Sequence, residues 1–136
     1  MKHHTLKVRG ANIHVVTAGK GTPLLLLHGW PEFWLTWEPV MKRLADRFML
    51  VAPDLRGFGE SDKPTGPFGP PDHALDLIAL MDALQIKKFG VIGHDVGGAV
   101  IQPLARLVPD QIIGLFLFNF FKRRIQEQPL GAPWRL

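Results

Sequence analysis

The segment Gly93-His94-Asp95-Val96-Gly97 constrains this chain more than any other. It follows the apolar run Phe89-Gly90-Val91-Ile92 and precedes a helix-like stretch from Val96 to Leu107. A small residue two positions either side of a nucleophilic one, between a strand and a helix, is the pattern of a sharp strand-to-helix elbow. Glycines at both offsets let the backbone close a tight, strained turn without Cβ clashes. Such a turn lifts the Asp95 side chain above the sheet edge and aims the first amides of the next helix at it.

The residue at the apex sets the chemistry. A carboxylate attacking an ester would form an anhydride, which gains little. A carboxylate attacking an sp3 carbon that bears a leaving group forms an ordinary alkyl ester. Water must then cleave that ester at the aspartyl carbonyl, and donors must hold the oxyanion that develops. Asp95 therefore points to hydrolysis of carbon–oxygen or carbon–halogen bonds. Asp is also a favoured helix N-cap, a role that needs no chemistry.

Composition narrows the classes. At 136 residues there is room for one domain, and an apolar content of 46% suits a globular core. With no cysteine there is neither a disulfide framework nor a thiolate metal site. His3 and His4 are adjacent near the start, with no histidine or acid at ligand spacing, so neither a metal nor a cofactor is expected. No apolar run reaches membrane-spanning length, and Met1 to Thr5 lacks a signal-peptide apolar region. A cytoplasmic protein without membrane association is expected. The net charge of +4 does not imply nucleic-acid binding, because residues 121–136 alone hold Lys122, Arg123, Arg124 and Arg135 against Glu127.

Along the chain, Thr5–Arg9 and Asn12–Thr17 alternate around Gly10-Ala11 and predict an antiparallel edge pair. Pro23–Leu27 and Met49–Pro53 predict strands buried on both faces. Leu35–Phe48 has helical spacing, and the Gly- and Pro-rich stretch Arg56–Pro71 predicts a loop. Asp72–Leu84 predicts a helix burying Ala74, Leu75, Ile78, Met81 and Leu84. Lys88–His94 and Ile112–Phe120 predict further strands, and Pro103 predicts a kink in the helix after Asp95. Two strands followed by strand–helix repeats predict an α/β fold, a mostly parallel sheet flanked by helices. Residues 1–120 form its expected extent; 121–136 are an irregular basic tail.

A second constellation ends the leucine run. In His28-Gly29-Trp30-Pro31 the Trp30 amide, paired with that of Val96, would form an oxyanion hole. The His28 side chain suits either a pocket wall or a turn-fixing role. Taken together, His28-Gly29-Trp30-Pro31-Glu32-Phe33-Trp34, Asp54-Leu55-Arg56-Gly57-Phe58-Gly59-Glu60-Ser61-Asp62-Lys63-Pro64 and Gly93-His94-Asp95-Val96-Gly97-Gly98 resemble the α/β-hydrolase superfamily. Within it they are most similar to the epoxide hydrolases, with haloalkane and haloacetate dehalogenases as relatives. Gly57, Gly59 and Ser61 match the small–x–small–x–Ser motif of epoxide hydrolases.

The resemblance implies Asp95 as nucleophile, the Trp30 and Val96 amides as oxyanion donors, and a small-molecule epoxide or organohalide as substrate. It assigns His28, Phe33 and Trp34 to the substrate pocket, where Phe33 and Trp34 suit a core role equally. Haloacetate dehalogenases carry an arginine just after the nucleophile; Val96 there favours the epoxide reading, although epoxide hydrolases often have tryptophan.

The family reaction also uses a late histidine, an acid that orients it, and lid tyrosines. This sequence has no tyrosine, and none of His3, His4, His14, His28, His73 and His94 follows the elbow. Asn119 stands where some dehalogenases carry the acid. About six of the family's eight strands are expected, with an apolar edge at Leu115–Phe120. Two explanations fit: a truncated hydrolase core whose residues 121–136 come from a shifted reading frame, or a second chain or copy that covers the edge. A non-catalytic binding module using strand addition is a competing function. A dinucleotide-binding oxidoreductase is disfavoured because Gly57-Phe58-Gly59 lacks the third glycine.

Overall fold

The computed structural model describes residues 1–119. The expected basic tail, 121–136, lies outside the described residues. The strands are β1 (Lys2–Val8), β2 (Ala11–Ala18), β3 (Thr22–Leu27), β4 (Phe48–Pro53), β5 (Phe89–His94) and β6 (Ile112–Phe118). The helices are α1 (Glu38–Leu44), α2 (Pro70–Ala83) and α3 (Val96–Leu107), with 3-10 turns at Trp34–Trp37 and Pro109–Gln111. The sheet order is β1-β2-β4-β3-β5-β6. β1 pairs antiparallel with β2, and β2 with β4, while β4, β3, β5 and β6 run parallel. This is the expected α/β architecture.

Alternation along each central strand feeds two cores. Leu25, Leu27, Val51 and Val91 face α2 and α3, where they meet Leu77, Leu80, Met81, Ile101 and Leu104. Leu26, Leu50 and Ala52 face the opposite side and meet Trp34, Trp37 and Met41. The unbroken leucine run of β3 is thereby explained, since both its faces are covered. Each fully buried leucine contributes roughly 1.5–3 kcal/mol over exposure.

Several expected boundaries shift. The helix expected over Leu35–Phe48 is a 3-10 turn followed by α1, which ends at Leu44. Phe48 leaves it to pair with Thr22 in the parallel ladder. α2 begins two residues early, at Pro70, because proline at the first helical position forfeits no hydrogen bond. α3 runs from Val96 through Pro103 to Leu107.

The buried face of α2 also differs from expectation. Leu75 is exposed, while His73 and Asp76 join Ala74, Leu77, Leu80 and Met81 inside. Asp76 tolerates this because Arg9 Nη1 donates to it at 3.0 Å and Arg56 Nε at 2.6 Å. That shared carboxylate fastens α2 to the β1–β2 turn and to the loop after β4, and it holds the Arg56 guanidinium above its ordinary value. Apolar periodicity misreads a helix whose buried stripe contains a paired acid.

Among the described residues β6 forms one edge of the sheet, with Ile113, Leu115, Phe116 and Phe118 all exposed. Contiguous apolar exposure along a strand at a sheet edge favours self-association.

Burial lowers the proton affinity of His28 and His73 below the ordinary histidine value of 6.5, in both cases chiefly by desolvation. His73 Nδ1 has no partner among the described residues. Below pH 6.5 the unfolded chain takes up more protons than the folded one. Stability is therefore full above that pH and declines as pH falls beneath it. Urea unfolding from pH 8 to 5 checks this: His73→Leu should flatten the acid limb relative to the parent.

Candidate active site

The two turns that matter leave the same edge of the sheet from neighbouring strands. β3 and β5 are in register, with Leu27 opposite Gly93. One residue past β3 begins the turn His28-Gly29-Trp30, closed by a cis Trp30–Pro31 peptide. One residue past β5 stands Asp95, at φ 51° and ψ −119°. That left-handed conformation is costly for a residue with a side chain, on the order of 1–3 kcal/mol, and persists only where surroundings enforce it.

The glycines explain how it is enforced. A Cβ on Gly97 would strike the Leu27 carbonyl, so the start of α3 lies directly on the end of β3. A Cβ on Gly93 would lie 2.9 Å from Ile101 Cδ1 and 3.1 Å from the Gly97 carbonyl carbon. On the facing turn, a Cβ on Gly29 would lie 2.9 Å from Asp95 Cβ and 3.1 Å from Asp95 Oδ2. The elbow and the turn therefore approach as closely as backbone allows.

In that gap the Trp30 N–H donates to Asp95 Oδ2 at 2.8 Å. Asp95 is exposed, and Trp30 leaves 70% of its surface free. One carboxylate oxygen is thus held by an amide, and no described side chain donates to Oδ1. The Asp95 N–H donates to the Asn119 carbonyl at 3.2 Å, which ties the elbow to the end of β6. Val96, Gly97 and Gly98 begin α3, where amides have no intrahelical acceptor. Asp95 supplies its main-chain carbonyl to the Ala99 N–H at 3.1 Å but makes no side-chain cap.

The expected pocket residues separate. His28 has no accessible surface. Its Nε2 accepts the Leu55 N–H at 3.0 Å and its Nδ1–H donates to the Gly29 carbonyl at 2.8 Å, so the neutral ring is locked in one tautomer. Trp34 is buried and lies edge-on to His3 and His14, with ring centroids 5.1 and 6.5 Å away. Phe33 is partly exposed. His28 and Trp34 thus shape the turn from behind, and Phe33 is the member of the trio with surface to offer.

Sequence reasoning assigned no role to Glu32 or His94, and both belong to the site. Glu32 Oε2 accepts the Gly29 N–H at 3.1 Å and bonds His94 Nε2 at 2.9 Å, while Oε1 accepts the Thr36 hydroxyl at 3.2 Å. The Glu32 N–H returns to the Gly29 carbonyl at 3.0 Å. An acid three residues after a turn glycine is the spacing of a reciprocal capping pair, and that signal was present in the sequence. His94 stacks on Phe118 at 5.1 Å and meets Trp37 edge-on at 5.8 Å. Glu32 therefore bridges the turn to the residue before Asp95.

Among the described residues no group of three or more histidines or acids is arranged to hold a metal ion. No described helix is long and apolar enough to cross a membrane.

Gly29→Ala forces a methyl group against Asp95 and His94. It should destabilise the fold by about 1–3 kcal/mol, read as a shift of the urea midpoint, and weaken the Trp30–Asp95 hydrogen bond.

The profile of the alpha/beta hydrolase fold family matches residues 22–120. A soluble epoxide hydrolase of Corynebacterium sp. (strain C12) is 44% identical over 117 residues, covering 86% of this chain and 41% of that protein. Epoxide hydrolase 4 of Homo sapiens is 37% identical over 122 residues, covering 85% of this chain and 33% of that protein. Among solved structures, the ligand-free epoxide hydrolase CorEH superposes with a TM-score of 0.88 at 40% identity, covering 99% of this chain and 47% of that one. Epoxide hydrolase VrEH1 of Vigna radiata gives 0.84 at 31% identity, covering 94% and 43%. The chain spans less than half the length of each of these relatives.

Proposed function

Because this chain belongs to the α/β-hydrolase fold family, we propose that it carries the nucleophile half of an epoxide hydrolase site, with Asp95 forming an alkyl-enzyme ester. The observation that carries this reading is the exposed Asp95 carboxylate at a strained elbow, with one oxygen held by the Trp30 amide. The likeness to epoxide hydrolases of several organisms supports the substrate class.

In the proposed reaction Asp95 Oδ1 attacks an epoxide carbon. A carbon–oxygen bond forms to the carboxylate, and the ring bond breaks with its electron pair leaving on oxygen. That oxygen takes a proton from an acid that these residues do not supply, the sequence having no tyrosine. Water then adds to the aspartyl carbonyl carbon. Negative charge gathers on Oδ2, where the Trp30 and Val96 amides stabilise it. One such donor is typically worth about 100- to 1,000-fold in rate. The ester is released as the carboxylate and a diol.

Turnover needs a base to activate that water. The last histidine in the sequence is His94, whose Nε2 is engaged by Glu32. We therefore place the water-activating histidine, its orienting acid and the proton donor on residues outside this sequence. The exposed apolar side chains of β6 mark the side of the sheet where the rest of the fold would pack, either as a further part of the same hydrolase or on a second chain. A cytoplasmic setting fits the absence of cysteine. An organohalide substrate follows the same first step with halide as leaving group, and Val96 after the nucleophile argues against a small carboxylate such as a haloacetate.

Incubation with a reactive styrene-type epoxide followed by peptide mass spectrometry tests the reading. A single adduct is expected on the peptide containing Asp95, lost in Asp95→Asn. A folded protein whose Asp95 stays unmodified while other carboxylates react would overturn it.

A further inference from the structure

Behind the oxyanion turn lies a buried carboxylate that the reaction does not touch. Asp54 follows β4 directly and has no accessible surface. Its Oδ1 accepts the Trp34 N–H at 2.7 Å, and its Oδ2 accepts the Glu60 N–H at 2.9 Å and His14 Nδ1–H at 2.8 Å. Gly59 has no room for a Cβ because the Asp54 carboxylate fills that space. The Ser61 hydroxyl donates to the Asp54 carbonyl at 2.6 Å and accepts the His14 N–H at 2.9 Å.

Asp54 and its neighbour grip the turn at both ends. The Leu55 N–H holds His28, where the turn begins; the Asp54 carboxylate holds the Trp34 N–H, where it ends. Trp30, whose amide reaches Asp95, lies between these anchors. A span of seven residues fixed at both ends to consecutive residues of one strand terminus has little freedom left for its middle. We propose that Asp54 and His14 are positioning residues for the Trp30 amide, acting through the turn and touching neither substrate nor reacting atoms. The proposal rests on the reading of Trp30 as the donor that faces Asp95.

His14 is the part that makes this more than a buried acid. Its Nδ1–H commits to Asp54, which leaves Nε2 as an acceptor for His3 Nδ1–H at 3.0 Å. The pair is stacked, with ring centroids 5.2 Å apart. His3 is exposed, so a hydrogen-bonded chain runs from solvent through two imidazoles to the carboxylate that ends the turn. The exposed Glu60 carboxylate also faces His14, at 4.0 Å from Nε2. A buried carboxylate needs its donors in place, and losing one leaves an acceptor unsatisfied and free to repack.

The test reads the Trp30 amide directly by proton NMR and hydrogen exchange in the full chain. A short bond to a carboxylate shifts an amide proton downfield and protects it. In His14→Leu the Trp30 resonance should move upfield and its exchange should accelerate on the order of tenfold, as expected when one hydrogen bond of the supporting network is lost. His14→Asn, whose amide nitrogen can replace Nδ1 as donor to Asp54, should restore both values. Ile86→Val, a core change remote from the turn, lowers global stability without moving the Trp30 resonance. Asp54→Asn should match His14→Leu if it folds; if it does not, the His14 pair decides alone. A Trp30 signal unchanged in His14→Leu, or shifted equally by Ile86→Val, would overturn the proposal. The outcome is separable from the reading of the reaction. Trp30 moving as described while Asp95 resists alkylation would defeat the nucleophile and leave the positioning role. Asp95 alkylated while Trp30 stays fixed would do the reverse.

Discussion

The hydrogen bond from the Trp30 amide to Asp95 Oδ2, 2.8 Å long, is the contact around which the rest of this structure is arranged. It joins the turns that end two neighbouring parallel strands. It demands a backbone approach that only glycine permits at positions 29, 93 and 97. The sheet contributes by bringing Leu27 and Gly93 into register, so that each chain turns off at the same height. Displacing either strand by one residue would invert the pleat and send Asp95 into a core.

The strain at Asp95 needs support from every side, and the structure supplies it in polar form. Asn119 receives the Asp95 amide, Glu32 ties the turn to His94, and His28 and Asp54 close the turn from beneath. The buried His28, the buried Asp54 and the half-buried Glu32–His94 contact, all packed around one turn, would each be costly if left without partners. Paired as they are, they hold the Trp30 N–H and the Asp95 carboxylate in fixed positions. In the reaction proposed above, that fixity matters because electrostatic stabilisation is most effective when no group must reorganise as charge develops.

Much of this was legible in the sequence. The elbow could be read because Gly93, Asp95 and Gly97 sit at fixed offsets between an apolar run and a helical period. β3 and β4 could be read because they are apolar without alternation. The expected oxyanion turn at Trp30 faces Asp95 in space. What escaped is interaction between positions far apart in the chain. His14 and Asp54 are 40 residues apart, and Arg9 and Asp76 are 67 apart. No local pattern announces that a strand histidine and a post-strand acid will meet. For the same reason the buried stripe of α2 was only partly legible: Ala74, Ile78, Met81 and Leu84 pack against the core as expected, while Leu75 is exposed and Asp76 counts as exposed until its arginines are known. The resemblance assigns Trp34 and His28, both near Trp30 in sequence, to the pocket and leaves each a structural role as the alternative. In the fold that nearness turns them inward, with Trp34 under the turn and His28 pinned to Leu55.

A crystal structure of the protein after reaction with an epoxide would test the central claim most directly, because it distinguishes the two oxygens of one carboxylate. The expected density is continuous from Asp95 Oδ1 to a substrate carbon, with Oδ2 still about 3 Å or less from the Trp30 nitrogen. Density joining the ligand to Oδ2, to Glu32 or to His94 instead would contradict the assignment of both nucleophile and donor.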